Sequence, residues 1–116
     1  MTSRTDSERL ADIKERIDRI KFAEVTLKEA ESDPESWEAS QIAFDAILYN
    51  LLVIGEAVKS LSDEFKMKFD FLPWTQITGM RDILAHEYFR VDSTVVIATI
   101  DKPLEELKKI CEKEVG

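Results

Sequence analysis

Apolar residues recur along the first quarter of the chain at the spacing of an amphipathic helix. From Ser7 to about Ala30 they fall mainly three and four residues apart, with charged side chains between them: Leu10, Ile13, Ile17, Ile20, Ala23, Val25 and Leu27. These positions share one face of a helix. Residues 31–34 then supply turn formers, and Asp33 is suited to cap a new helix with Pro34 in its first turn.

A second helix is predicted from about residue 35 to residue 65, and its middle is apolar around nearly the whole circumference between Ile42 and Gly55. Such a helix must be covered on more than one side. Either the centre of a small bundle or a second copy of the chain covers the remaining face. We favour the second copy, which makes this helix the candidate surface of a homodimer. Gly55 is expected to permit a close crossing with another helix.

Two polar residues, Asn50 and Glu56, interrupt this apolar run. They either hydrogen-bond across the bundle or orient a charged group of an active site. The sequence leaves both roles open.

Two further helices complete the pattern. Pro73 and Trp74 open the third, which is predicted to run to about Tyr88, and residues 91–93 mark a break with a new N-cap. The last helix is predicted from about residue 93 to residue 113, and Pro103 should kink or divide it because proline cannot donate the helical hydrogen bond. The sequence therefore predicts an all-α bundle of four or five helices without strands.

Composition narrows the class of protein. A chain of 116 residues with 44% apolar residues is expected to form a single domain, residues 1–116. A formal charge of −8 gives no basic footprint for general nucleic-acid binding. The lone Cys111 excludes a disulfide framework within one chain and leaves too few ligands for a structural zinc site. Without an apolar leader or a run of roughly 20 apolar residues, a soluble cytoplasmic protein is expected.

The one constellation suited to chemistry surrounds His86, the only histidine, whose ordinary pKa suits proton transfer near neutral pH. Asp82 lies four residues before it, on the same helix face, and could fix the imidazole tautomer. Arg81 lies five residues before it, which on an ideal helix separates the two directions by about 140°. That divergence favours a composite site in which a second subunit supplies the opposing group.

An arginine and a histidine suit cleavage of RNA by attack of its own 2′-hydroxyl. That reaction needs a base, an acid for the leaving oxygen and a cation for the charge developing on phosphorus. On spacing alone, the more conservative interpretation is that Arg81 and Asp82 form ordinary helix ion pairs and that His86 favours a helix C-terminus.

The string from Arg81 to Tyr88 resembles the R-x-x-x-x-H-x-Y motif of the HEPN toxins of HEPN/MNT toxin–antitoxin modules, also called HepT. Residues 50–57 resemble the family's second-helix signature, and the Pro73-Trp74 and Gly79-Met80 pairs resemble its approach to the motif. The resemblance covers nearly the whole chain.

This resemblance implies a HEPN-type bundle that dimerises, with both motifs in one cleft forming a metal-independent endoribonuclease that uses no cofactor. Arg81 and His86 would be the catalytic pair. It also implies a minimal nucleotidyltransferase antitoxin as partner, which would transfer AMP to Tyr88 and silence the toxin. An anionic group there would add negative charge where phosphate must bind.

Two features depart from the family's pattern. Glu87 stands where relatives often have glycine, and the overall charge is acidic. Both favour a second hypothesis, a catalytically weak HEPN subunit that acts as binding partner or substrate of the nucleotidyltransferase. A third hypothesis, a helical dimerisation module, requires the motif match to be accidental.

Overall fold

The computed structural model describes residues 4–87 and 93–115. This part of the chain forms five α-helices and one 3-10 turn, without strands: α1 (Arg4–Glu31), the 3-10 turn (Pro34–Ser36), α2 (Trp37–Lys59), α3 (Asp63–Lys68), α4 (Trp74–Glu87) and α5 (Ser93–Val115). Buried side chains from all five helices form one hydrophobic core. The predicted all-α bundle is confirmed.

α1 is the amphipathic helix that the apolar spacing predicts. Leu10, Ile13, Ile17 and Ile20 are fully buried, and the helix packs against α2 and α5. Asp33 acts as a cap, as predicted, but of the 3-10 turn that precedes α2: its carboxylate accepts a hydrogen bond from Glu35 N at 3.0 Å. This bond, with a second one from the Ser36 hydroxyl, lowers the pKa of Asp33.

The predicted second helix is wrong at its C-terminal end. α2 stops at Lys59, and a separate short helix, α3, begins at Asp63. The cause is a tertiary contact with α1, in which the buried Asp6 carboxylate accepts hydrogen bonds from Ser62 N at 2.9 Å and Ser62 Oγ at 2.6 Å. Ser62 in turn caps α3 by accepting from Phe65 N at 3.1 Å. The predicted third helix is therefore α4, and it begins at Trp74 as expected.

The expectation that no segment is long and apolar enough to span a bilayer is wrong for the segment formed by the 3-10 turn and α2. Among the described residues, Pro34–Lys59 reaches that length with a mean hydropathy of 1.4, and 44% of its apolar window is buried. The core helix of a globular protein passes the same test of length and composition. Here α1 packs along one side of α2, and α4 packs along another.

α5 starts at Ser93, as predicted, but Pro103 does not divide it, because the helix continues to Val115. Leu104, Leu107 and Cys111 follow the proline on the buried face and hold the helix against the core. Burial raises the pKa of the Cys111 thiol to about 12, so the thiol stays protonated near neutral pH. The predicted break at residues 91 and 92 lies outside the described residues.

Candidate active site on helix α4

The start of α4 is fixed by the Trp74 side chain. Its indole Nε1 donates to Lys66 O at 3.1 Å and to Phe69 O at 3.0 Å, which anchors the helix to the end of α3. The indole also meets the Phe65 ring edge-on, with the ring centroids 6.3 Å apart. These contacts set the position from which α4 extends toward the motif.

α4 crosses α2 closely where Gly55 meets Arg81. A Cβ added at Gly55 would overlap Arg81 Cβ and lie 2.8 Å from Arg81 Cγ and 3.4 Å from Arg81 Cα. Only a residue without a side chain permits this approach. The predicted role of Gly55 in a close crossing is confirmed, and the partner across the crossing is the arginine of the motif.

Arg81 is held between two carboxylates. Its Nε forms an ion pair with Glu56 Oε1 from α2, and its Nη1 donates to Asp82 Oδ1 at 2.9 Å. Hydrogen bonding to Asp82 is the main cause that raises the pKa of Arg81, and the charge of Glu56 adds to it. The guanidinium therefore stays charged, while the three groups together carry a formal charge of −1.

This pairing agrees with the more conservative interpretation of the sequence, in which Arg81 and Asp82 form ion pairs. Helical spacing placed Asp82 within reach of His86, whereas the structure shows its carboxylate on Arg81. α4 includes His86, but its side chain lies outside the described part of the chain, as does the whole of Tyr88. The orientation of His86 by Asp82 stays a prediction.

The two polar residues of α2 have different partners. Asn50 is buried, accepts from Arg16 Nη1 at 3.3 Å and donates to Ala46 O at 2.7 Å, so it links α2 to α1. Glu56 instead contacts Arg81. The sequence left two roles open for these residues. Asn50 hydrogen-bonds across the bundle, whereas Glu56 contacts a charged group of the motif.

An apolar groove lies between α2 and α4, one to three turns before Glu56 on α2. Its volume is about 320 Å³, and it is lined by Asp45, Leu48, Tyr49, Leu52 and Leu84. Tyr49 is 57% exposed and lies under the Arg16 guanidinium, 5.7 Å from the ring centroid. Neither Tyr49 nor Arg16 stands out in the sequence, because each occupies an ordinary position of an amphipathic helix.

No group of three or more His, Cys, Asp or Glu side chains converges as metal ligands would among the described residues.

Gly55 at the crossing and Gly79 elsewhere on α4 provide a matched test of the close approach between α2 and α4. Gly55→Ala should destabilise the fold by about 1–3 kcal/mol, because the new methyl group overlaps the stem of Arg81. Gly79→Ala should be neutral or stabilising by up to about 1 kcal/mol, since nothing lies within 4 Å of its added Cβ. Urea unfolding of both variants measures the difference, and equal effects would contradict the close crossing.

Comparison with known proteins places the chain in a family. A model of the family described as "Ribonuclease HepT-like" matches residues 7–114. A candidate RNase of Caldanaerobacter subterraneus subsp. tengcongensis is 48% identical over 64 residues, which make up 55% of this chain and 57% of that protein. The probable ribonuclease HepT of Thermococcus cleftensis is 38% identical over 68 residues, or 59% of this chain and 62% of that protein.

A longer match joins the chain to part of a Methanocaldococcus jannaschii protein named as a gamma-glutamylcyclotransferase and candidate RNase. The two are 38% identical over 93 residues, which cover 80% of this chain and 41% of that protein. The chain spans about half the length of the first curated relatives it matches. No solved structure matches it significantly. Since the family model covers nearly the whole sequence, the chain belongs to the ribonuclease HepT-like family.

Proposed function

We propose that this chain is a cytoplasmic, metal-independent endoribonuclease, the toxin of a HEPN/MNT toxin–antitoxin pair. The observation that carries the proposal is the family match over residues 7–114, together with the position of Arg81 at the α2–α4 crossing. Its substrate is RNA, and the reaction uses no cofactor.

The proposed reaction is an internal transfer within RNA. The 2′-oxygen bonds to phosphorus as its proton passes to one His86, and the bond from phosphorus to the 5′-oxygen breaks as a protonated His86 supplies a proton to that oxygen. Arg81 stabilises the charge that develops on the phosphoryl oxygens. Two copies of the chain supply two histidines and two arginines, which is enough for both proton transfers.

A second copy of the chain is the proposed cover for the groove between α2 and α4. Ile42 and Tyr49 leave large apolar surfaces on α2 in solvent, with exposures of 70% and 57%. Leu52 and Leu84 line the groove next to them. Arg81 is directed at α2, whereas helical spacing predicts a direction about 140° away for position 86. This divergence supports a site shared between two subunits.

The proposed partner is a minimal nucleotidyltransferase antitoxin that transfers AMP from ATP to Tyr88. The tyrosine oxygen bonds to the α-phosphorus of ATP, and pyrophosphate leaves. A phosphodiester at residue 88 adds bulk and negative charge two residues from His86, and both oppose the approach of an RNA phosphate.

A second candidate function is a catalytically weak HEPN subunit that serves as binding partner or substrate of that nucleotidyltransferase. The specific observation in its favour is the charge around the motif. Glu56 and Asp82 outnumber Arg81, and the chain carries a formal charge of −8.

The nuclease proposal predicts that the purified protein cleaves RNA in the presence of EDTA. Arg81→Ala and His86→Ala should each lower the rate by about a hundredfold or more, because each removes a group that acts in the transition state. Cleavage of a labelled RNA by purified variants measures the rates. Arg19→Ala, which removes an exposed arginine paired with Glu15 on α1, is the matched control and should retain full activity. Cleavage that survives both motif substitutions would refute this site.

The dimer proposal predicts that a charge on the exposed apolar face of α2 separates the subunits. Ile42→Glu should convert the dimer to a monomer, because a buried unpaired carboxylate opposes an apolar interface. Phe22→Glu, at a side chain of α1 that is 77% exposed, should leave the mass unchanged. Light scattering after gel filtration gives the mass, and circular dichroism checks that both variants are folded. A monomeric wild type contradicts the proposal.

The modification proposal predicts that the partner and ATP add AMP at one position. The chain has two tyrosines, which gives a matched pair of variants. Tyr88→Phe should abolish the gain in mass, whereas Tyr49→Phe should retain it. Intact-mass spectrometry after incubation reads the result, and an unmodified wild type would count against this partner.

A further inference from the structure

The cluster formed by Glu56, Arg81 and Asp82 presents a difficulty for any RNA substrate. A phosphate diester carries a negative charge, and the cluster already carries a formal charge of −1. The Arg81 side chain is 25% exposed, with its stem against the α2 backbone and the two carboxylates beside its guanidinium. A phosphate that binds both terminal nitrogens must displace Asp82 from Nη1.

The two carboxylates contact different nitrogens of the guanidinium. Glu56 pairs with Nε, the nitrogen next to the aliphatic stem, and Asp82 accepts from Nη1, one of the two terminal nitrogens. Arginine binds phosphate in a bidentate manner through a pair of adjacent N–H groups. A phosphate on the two terminal nitrogens therefore competes with Asp82 and leaves Glu56 in place.

The surroundings of the two acids also differ. Glu56 follows Gly55, whose backbone lies against the stem of Arg81, so the crossing that brings α4 to α2 also brings this carboxylate to Nε. Asp82 is the next residue after Arg81 on α4, and its short stem can turn into solvent without disturbing the crossing. Exposure does not separate the two acids, because the side chains are 51% exposed for Glu56 and 58% exposed for Asp82. Glu56 is built into the contact between helices, whereas Asp82 is attached to one helix only.

We infer that the two carboxylates on Arg81 act in opposite directions, with Glu56 positioning the guanidinium and Asp82 competing with the substrate phosphate for its terminal N–H groups. Glu56 is then a positioning residue for the reaction. Asp82 weakens RNA binding until a phosphate displaces it. This inference rests on the proposed function for the identity of the substrate, but it also makes a claim about binding that does not require cleavage.

The test compares the alanine variants of the two acids, since each removes one negative charge from the same cluster. The probe is an RNA oligonucleotide with 2′-deoxy substitutions, which binds without being cleaved, and fluorescence anisotropy measures the affinity. Asp82→Ala should tighten binding by about three- to tenfold, the effect of one unit charge a few ångströms from a phosphate in a water-like dielectric. Glu56→Ala should not tighten binding, because the loss of a positioned Arg81 offsets the loss of charge.

Cleavage of the unmodified oligonucleotide separates positioning from binding. Glu56→Ala should lower kcat by about ten- to hundredfold, as expected for a misplaced catalytic group. Glu56→Gln should restore most of that loss, because the glutamine side chain has the same length and its amide oxygen can occupy the place of the carboxylate oxygen beside Nε. Asp82→Asn should lower KM with little change in kcat. Glu38→Gln is the charge control, because Glu38 is exposed on α2 and lies 18 residues, about 27 Å of helix, from Glu56.

Three results would overturn the inference. Equal tightening by the two alanine variants would mean that only net charge matters. A fall in kcat for Asp82→Asn would assign Asp82 to His86 instead of to competition with phosphate. Failure of both wild type and Asp82→Ala to bind the probe would mean that Arg81 does not receive a phosphate. Binding as expected without cleavage would refute the nuclease proposal and the role of Glu56 in the reaction, and it would leave the competition between Asp82 and phosphate standing.

Discussion

The close approach of α4 to α2 at Gly55 determines the position of every described group at the site. Because the glycine has no side chain, the stem of Arg81 lies directly against the α2 backbone. Glu56, the next residue of α2, is thereby brought to Arg81 Nε. A larger residue at position 55 would separate the helices and remove both contacts, so packing and site geometry share one requirement.

The two carboxylates at the crossing surround the motif arginine with negative charge. A lone arginine would attract any polyanion, but Arg81 lies between two carboxylates in a chain with a formal charge of −8. A net charge of this sign opposes general attraction of polyanions such as RNA. If it cleaves RNA, the energy for binding must come from a few local contacts and from surfaces that a partner subunit supplies.

The apolar sequence of α2 forms two separate apolar faces on one helix. Its buried face contributes Ile47, Leu51, Ile54 and Val58 to the core, while Ile42 and Tyr49 remain exposed on the opposite side. The high hydropathy of this helix therefore reflects two apolar faces, one covered by α1 and α4 and one left in solvent. The exposed face adjoins the groove beside the motif helix, which is why subunit contact and catalysis are proposed to share one surface.

The sequence by itself determined the helical class, the apolar face of α1, the Asp33 cap, the start of α4 and the need for a glycine at position 55. All of these follow from local periodicity or from the conformational rules of single residues. Only the tertiary structure decided that α2 ends at Lys59, because the Asp6 carboxylate that binds Ser62 comes from 56 residues away. It also decided that Glu56 meets Arg81 and that Asn50 meets Arg16. A polar side chain on a helix has several partners within reach, and the packing of the helices selects one of them.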